Sequence, residues 1–379
     1  QNGNLQQAEE RYRQILKANP QNEDALHFLG ILVFQLGQYD TASDLICQAI
    51  KLNPKQSSFF DSLGTVLKAQ QDTEKAMKAY YRALEIDPKF VKAGNITAKV
   101  RDEFKRRNLI GMTVTQVCTE VEDMIRKLGA EPGFPCGVSI NDVTAHYSGE
   151  LFEDRVITDN SVIKLDLGAH IDGFVADTAV TISYNPDYYE LTSATEKALY
   201  EAIKNVKHRT SSATLGKIIE ETAHKYGFKP ISNLSGHSIE RFKIHAGVSI
   251  PNISTPFGSN LYVGHVYAIE PFLTLKTAAG YVVDGTTKTI YMLIKRKHTG
   301  DKKLDNFTDT IWKTRNTLPF SPRWYLDNYS KEELNEILNK LVARKIFRVY
   351  PDLIEATNAI VAQFEHTITP TEDGAIILT

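Results

Sequence analysis

Apolar positions over residues 21–88 follow a helical spacing and then recur as a block. Leu26, Leu29, Gly30, Ala42, Ala49 and Pro54 return 34 residues later as Phe60, Leu63, Gly64, Ala76, Ala83 and Pro88. A fixed period of this length predicts stacked helix pairs, each burying its stripe against the next. Gly30 and Gly64 let the first helix of a pair approach the second, and Ala42 and Ala76 fill the same contact from the other side. Pro54 and Pro88 close the units, where a missing N–H costs little. Gly3, Ala8 and Pro20 continue the register backwards for half a unit. The chain opens on Gln1 rather than Met, and reads as beginning inside a repeat with at least one helix upstream.

After Pro88 the pattern changes. Two amphipathic helices are predicted at 92–107 and 115–128, the first of them basic. Strand-rich and loop-rich sequence follows, punctuated by Pro132-Gly133-Phe134-Pro135 and by the segment 249–258. Ile163 to Thr181 reads as two apolar strands around Asp172-Gly173, the dipeptide favoured in two-residue hairpin turns. Counting back from that turn pairs Ile171 with Phe174 and Asp166 with Ala179. Alternation puts Asp177 on the face of Ala179, so Asp166 and Asp177 lie diagonally across one face. One more residue in the turn would separate them. Farther on, Ser330-Lys331-Glu332-Glu333 forms a capping box before a stripe at Leu334, Ile337, Leu338, Leu341 and Val342. Helices alternating with mostly antiparallel strand pairs predict an α+β domain.

At 379 residues the chain is too long for one ordinary core. We expect a helical segment over 1–88 and an α+β domain over 89–379. A formal charge of −2 argues against a general nucleic-acid-binding surface. Cys47, Cys118 and Cys136 show no paired spacing, which suits a reducing compartment. With no signal peptide and no apolar run of membrane length, a cytoplasmic protein is expected.

The hairpin acids admit two readings. They lie on a solvated face, or, since Ile163, Leu165, Leu167, Val175 and Ala179 surround them with apolar groups, something neutralises them. Three other ionisable residues sit in strand-like contexts: His237 after Asn233-Leu234-Ser235-Gly236, Glu270 at the end of Val266-Tyr267-Ala268-Ile269, and Glu365 inside 360–368. Each alone suits a turn or a structural ion pair. Together, four carboxylates in one place could not all ionise without cations. Two divalent ions would balance them, the electrostatic logic of a two-metal hydrolase.

Two resemblances follow from these residues. Residues 21–88 closely resemble tetratricopeptide repeats, whose arrays usually hold a peptide or protein; His27 and Ile31 stand where carboxylate-binding members carry Lys and Asn. From about Phe90 to Thr379 the chain resembles a type II methionine aminopeptidase of the archaeal kind. The matching motifs run from Ser139-Ile140-Asn141 through Ala145-His146-Tyr147 and from Lys164-Leu165-Asp166-Leu167-Gly168 through Ala176-Asp177-Thr178. They continue with Ser235-Gly236-His237-Ser238-Ile239, Ile244-His245-Ala246-Gly247, Tyr267-Ala268-Ile269-Glu270-Pro271-Phe272 and Ala362-Gln363-Phe364-Glu365-His366-Thr367. A helical, winged-helix-like insert over about 305–352 separates type II from type I. The implied fold is the pita-bread fold, with metals between two pseudo-symmetric halves.

The same resemblance implies roles. Asp166 would bind one metal, His237 and Glu270 the other, and Asp177 and Glu365 both. The cofactor would be two divalent ions: Co, Mn, Fe or Zn. Water activated by them would attack the scissile carbonyl, with Glu270 moving the proton. His245 would steady the developing oxyanion, and His146 would contact the scissile amide nitrogen or the leaving group. Phe134, Ile244 and Tyr350 would line the methionine pocket. Ile290 replaces the pocket histidine of eukaryotic type II members, and Cys136 reads as an unreactive wall residue. The implied substrates are nascent protein N-termini with a small second residue, handled by a monomer that needs neither nucleic acid nor membrane. A non-catalytic relative and a proline-specific aminopeptidase are the alternatives. Retention of all the ligand positions disfavours the first, and the insert disfavours the second.

Overall fold

The computed structural model describes residues 2–54, 56–86, 89–150 and 155–379. It divides into two compact units, Gln1–Pro88 with Tyr262–Gly264, and Lys89–Leu261 with His265–Thr379. The first unit carries helices Asn2–Ala18, Glu23–Gln35, Tyr39–Leu52, Ser57–Ala69 and Thr73–Ile86. The contact predicted between Gly30 and Ala42 forms, whereas Gly64 meets Tyr80 rather than Ala76. A methyl group on Gly30 would meet Ile46 Cγ1 at 2.7 Å and the Ala42 carbonyl oxygen at 3.3 Å, so only glycine permits this approach of the paired helices. Ala42, Ala49, Leu29, Val33 and Ile46 are buried between them. Asn22 caps the Glu23–Gln35 helix by accepting from the Ala25 N–H at 2.8 Å. Pro88 and the surroundings of Gly3 and of the Ala83 side chain lie outside what the structure describes.

The second unit is built on one large antiparallel sheet. Its central hairpin pairs Val162–Ile171 with Phe174–Ser183 without interruption, from Val162 opposite Ser183 to Ile171 opposite Phe174. Asp172 and Gly173 both take positive φ, 51° and 88°. That backbone twists with the flanking strands, which is why this dipeptide holds the register. Helix Lys89–Arg106 packs on the hairpin, and Thr97 Oγ1 accepts from the Ala169 N–H at 3.2 Å. Helix Val114–Lys127 starts at a capping box formed by Thr113 and Gln116.

The strand order across the sheet positions the site. Beyond the hairpin come Glu365–Pro370, then Val266–Ile269, then Ser235–Ile239 and Ser249–Pro251. Two three-stranded sheets flank it. One joins Val282–Leu293, Phe347–Glu355 and Val143–Ala145, and the other centres on Phe272–Leu275.

Helices Lys302–Arg315 and Lys331–Ala343 rise between Val282–Leu293 and Phe347–Glu355. Their own core contains Phe307, Ile311, Phe320, Leu334, Ile337, Leu341 and Phe347. Ser330 and Glu333 cap the second helix reciprocally. The helical part starts at Lys302, and residues 347–352, read from sequence as part of the insert, belong to a strand paired with Val282–Leu293. Among the described residues, no helix is long and apolar enough to cross a membrane.

Candidate metal centre

Five consecutive strands of the large sheet each deliver one ionisable side chain to a single place. Asp166 and Asp177 come from the hairpin, Glu365 from the first position of the next strand, Glu270 from the residue after Val266–Ile269, and His237 from Ser235–Ile239. The register carries the alignment. Glu365 stands opposite Ala179, His366 opposite Ile269, and His237 opposite Ala268. Where the ladder between the hairpin and the Glu365 strand is short, threonine hydroxyls extend it. Thr367 Oγ1 accepts from the Asp177 N–H and donates to the Asp177 carbonyl oxygen, both at 2.7 Å. Thr178 Oγ1 donates to the Glu365 carbonyl oxygen at 2.7 Å. These bonds fix the backbones that carry the two central carboxylates.

The side chains meet in a manner that hydrogen bonding does not explain. His237 Nε2 lies 3.5 Å from Glu270 Oε1 and 3.7 Å from Asp177 Oδ2. One donor atom from each of Asp177, His237 and Glu365 falls within 4.8 Å of the others. Asp166 Oδ1, Asp177 Oδ1 and Glu365 Oε1 are buried without a hydrogen-bond partner. Burial raises the Asp166 carboxyl to about 7. Burial, and then the charge of the neighbouring carboxylates, pushes Asp177, Glu270 and Glu365 well above the usual range. Among the described residues, no lysine or arginine forms an ion pair with this cluster. Buried, orphaned carboxylate oxygens beside a neutral imidazole form a donor set that suits Mn, Fe, Co or Zn. The residues present fit a metal centre.

The cluster is one wall of a cavity of about 260 Å³. Its lining includes His146, His245, Phe134, Ile244, Ile290, Tyr350, Asp166, Asp177, His237, Glu270 and Glu365. Every metal-ligand, catalytic and methionine-pocket residue expected from sequence therefore lies on this one cavity. His146 adopts φ 62°, a left-handed conformation rare for a side-chain-bearing residue, and its ring meets the Tyr350 edge at 5.6 Å. Such strain is found where surrounding structure dictates it. Burial and then the charge of His245 lower His146 to about 4. The His245 ring stands at 4.4 Å from His237. It is exposed at the cavity rim, yet the walls desolvate it enough to lower its pKa, with Arg348 adding to the effect.

Gly168, at the end of the Asp166 motif, admits Phe134 to the wall, because a Cβ there would sit 2.4 Å from Phe134 Cε1. Sequence reading missed Pro319, Leu234 and Phe272, which also line the cavity. Pro319 arrives from the helical insert, and no local pattern marks it. Arg315 explains its position: this buried guanidinium donates to the carbonyl oxygens of Pro132, Gly133 and Pro319 at 2.7, 3.1 and 3.1 Å, tying two walls together. Cys136 is corrected. It is buried in the main core and does not line the cavity; its N–H donates to Glu122 Oε1 and its carbonyl accepts from Cys118 Sγ, both at 3.1 Å, which hold it in that core.

A wider groove in the repeat unit, about 730 Å³, runs past Phe60, Leu63, Leu67, Lys75 and Lys78. Lys75 and Lys78 are paired with Asp72 and Glu74 at 2.7 and 2.6 Å. It lacks convergent, unpartnered groups, and we place the chemistry in the smaller cavity.

Comparison with known proteins points the same way. Residues 88–309 match metallopeptidase family M24, and residues 1–61 and 59–90 match tetratricopeptide repeats. A methionine aminopeptidase of Methanocaldococcus jannaschii is 42% identical over 291 residues, covering 77% of this chain and 97% of the relative. Another, from Saccharolobus solfataricus, is 42% identical over 293 residues with the same coverage. Among solved structures, the methionine aminopeptidase of Thermotoga maritima matches with a TM-score of 0.56 at 24% identity, over 77% of this chain and 95% of that one.

Proposed function

The chain belongs to metallopeptidase family M24, with its pita-bread fold, and we propose that it works as a methionine aminopeptidase, removing N-terminal methionine ahead of a small second residue. The observation that carries this reading is the set of buried, unpartnered carboxylates and one imidazole at the end of an apolar cavity. Two divalent ions would fit: Asp166 would hold one, His237 and Glu270 the other, and Asp177 and Glu365 both. When bound, such ions supply Lewis acidity to the scissile carbonyl and acidity to the attacking water.

The chain's own residues do the rest. Phe134, Ile244 and Tyr350, with Ile290, receive the methionine side chain. Glu270 takes the proton from the attacking water and delivers it to the amine nitrogen as the peptide bond breaks. His245 donates an N–H to the carbonyl oxygen as negative charge develops there. His146, held by its strained backbone, contacts the scissile amide nitrogen. The small second residue is the preference that the family resemblance implies.

The free thiols of Cys47, Cys118 and Cys136 support a cytoplasmic setting. The substrates are nascent protein N-termini, and the repeats hold a separate protein partner.

The test is methionine release from Met-Ala-Ser by chelated protein, followed by restoration with Mn, Co, Fe or Zn. We expect release only with added metal, loss of at least about a hundredfold in His237→Ala, whose ligand role a neutral methyl cannot fill, and no release of alanine from Ala-Pro peptides. Metal-independent release, or cleavage of Ala-Pro in preference, would overturn the assignment.

A further inference from the structure

Arg348 is an exposed cation on the strand Phe347–Glu355, two residues before Tyr350. Side chains alternate along a strand, so Arg348 shares the face of Tyr350, which lines the cavity and meets His146. The neighbouring strand agrees. Ile290, another cavity residue, pairs with Tyr350, and Met292 pairs with Arg348 one step farther out. Arg348 thus continues the wall beyond the cavity, and its charge acts on His245 at the rim. Its guanidinium forms no hydrogen bond or ion pair with any described residue. Lys243, two residues before His245, is by contrast engaged by Glu240 at 3.1 Å.

The path of a peptide follows from the exposures. With methionine in the apolar end and the scissile bond beside the carboxylates, the rest of the chain must leave toward solvent. His146 is half-buried and His245 is exposed, so the exit lies on the His245 side. We infer that Arg348 is a specificity-determining residue, selecting substrates that carry a carboxylate just beyond the small second residue. An uncommitted guanidinium at an exit binds carboxylates in the planar, two-pronged geometry that a lysine lacks.

This inference rests on the aminopeptidase reading, and the experiment separates the two. Metal-loaded protein is given amidated Met-Ala-Asp-Asp-Ser, Met-Ala-Ser-Ser-Ser and Met-Ala-Lys-Lys-Ser, together with Met-Ala-Ser as amide and as free acid. We expect kcat/KM to favour the acidic over the basic peptide by about fivefold, the scale of an exposed ion pair, mostly through KM. The ratio should shrink in 1 M salt as screening shortens to roughly 3 Å, and invert in Arg348→Glu. A preference of the free acid over the amide of Met-Ala-Ser would show that the terminal carboxylate is read as well. Peptides whose scissile amide is replaced by a reduced methylene-amine link should bind in the same order by calorimetry, without turnover. Release from Met-Ala-Ser with a ratio near one, unchanged in Arg348→Glu, overturns this inference alone. No release from any peptide removes both it and the activity beneath it.

Discussion

At the scale of single residues, burial separates ionisable groups that are held by the protein from those left waiting. His27 is of the first kind. It is 5% exposed, its Nε2 lies 2.8 Å from Ser62 Oγ, and its ring packs at 4.6 Å from Phe59. Burial lowers its pKa below the ordinary histidine value of 6.5, against smaller opposing effects from Asp24 and a backbone hydrogen bond. The folded state therefore prefers neutral His27, and the unfolded chain binds the proton first. Stability from this group is complete above about pH 6.5 and is lost as pH falls through the lower folded value. Thermal unfolding or limited proteolysis of the repeat unit between pH 7.5 and 5 should show that loss, and His27→Gln should flatten it. An unaltered pH slope in His27→Gln would assign the loss to other groups.

The carboxylates of the second unit are of the waiting kind, and they show how much the sequence could reveal residue by residue. Asp166 and Asp177 were legible from physics alone, because the turn residues Asp172-Gly173 dictate the register that puts them on one face. His237, Glu270 and Glu365 were legible only through their motifs. Their neighbours in the fold are set by strand order, which no local pattern encodes. Pro319 and Arg315 were silent, since the guanidinium that holds the Pro319 carbonyl is itself placed by a bond to the Gly133 carbonyl 182 residues away.

At the scale of elements, the site is a property of strand order rather than of any one strand. Glu365 lies beside the hairpin although the strands bearing Glu270 and His237 come earlier in the chain. The junction between the hairpin and the Glu365 strand has only two paired positions. Thr367 therefore matters more than a surface threonine would. Thr367→Val keeps the shape but leaves the Asp177 N–H and carbonyl buried without those bonds, a cost of about 1–3 kcal/mol. We expect a lower denaturation midpoint. We also expect faster loss of metal under dilute chelator, read by elemental analysis, because Asp177 is central to the donor set. A lower midpoint with normal metal retention would mean that strand pairing alone aims Asp177.

At the scale of the whole molecule, the chain adds a repeat unit to what the aligned relatives carry. The aligned region spans 97% of the Methanocaldococcus jannaschii protein but only 77% of this chain, and the remainder corresponds to the repeats. The proposed ligands all come from residues 166–365, and each has its strand neighbours within the second unit. Residues 89–379 should therefore fold and release methionine from Met-Ala-Ser at a rate within about twofold of the full chain, the scatter that independent sites show when their effects add. The repeats should act on a different observable. Stacked helix pairs bury their Leu and Ala stripes in their own core, leaving the remaining positions to meet a partner. Proteins captured by the full chain should be lost when residues 1–88 are removed, while those captured by 1–88 alone should persist. Identical capture with and without the repeats would refute a tethering role. A large fall in peptide turnover on their removal would make them part of the catalytic machinery instead.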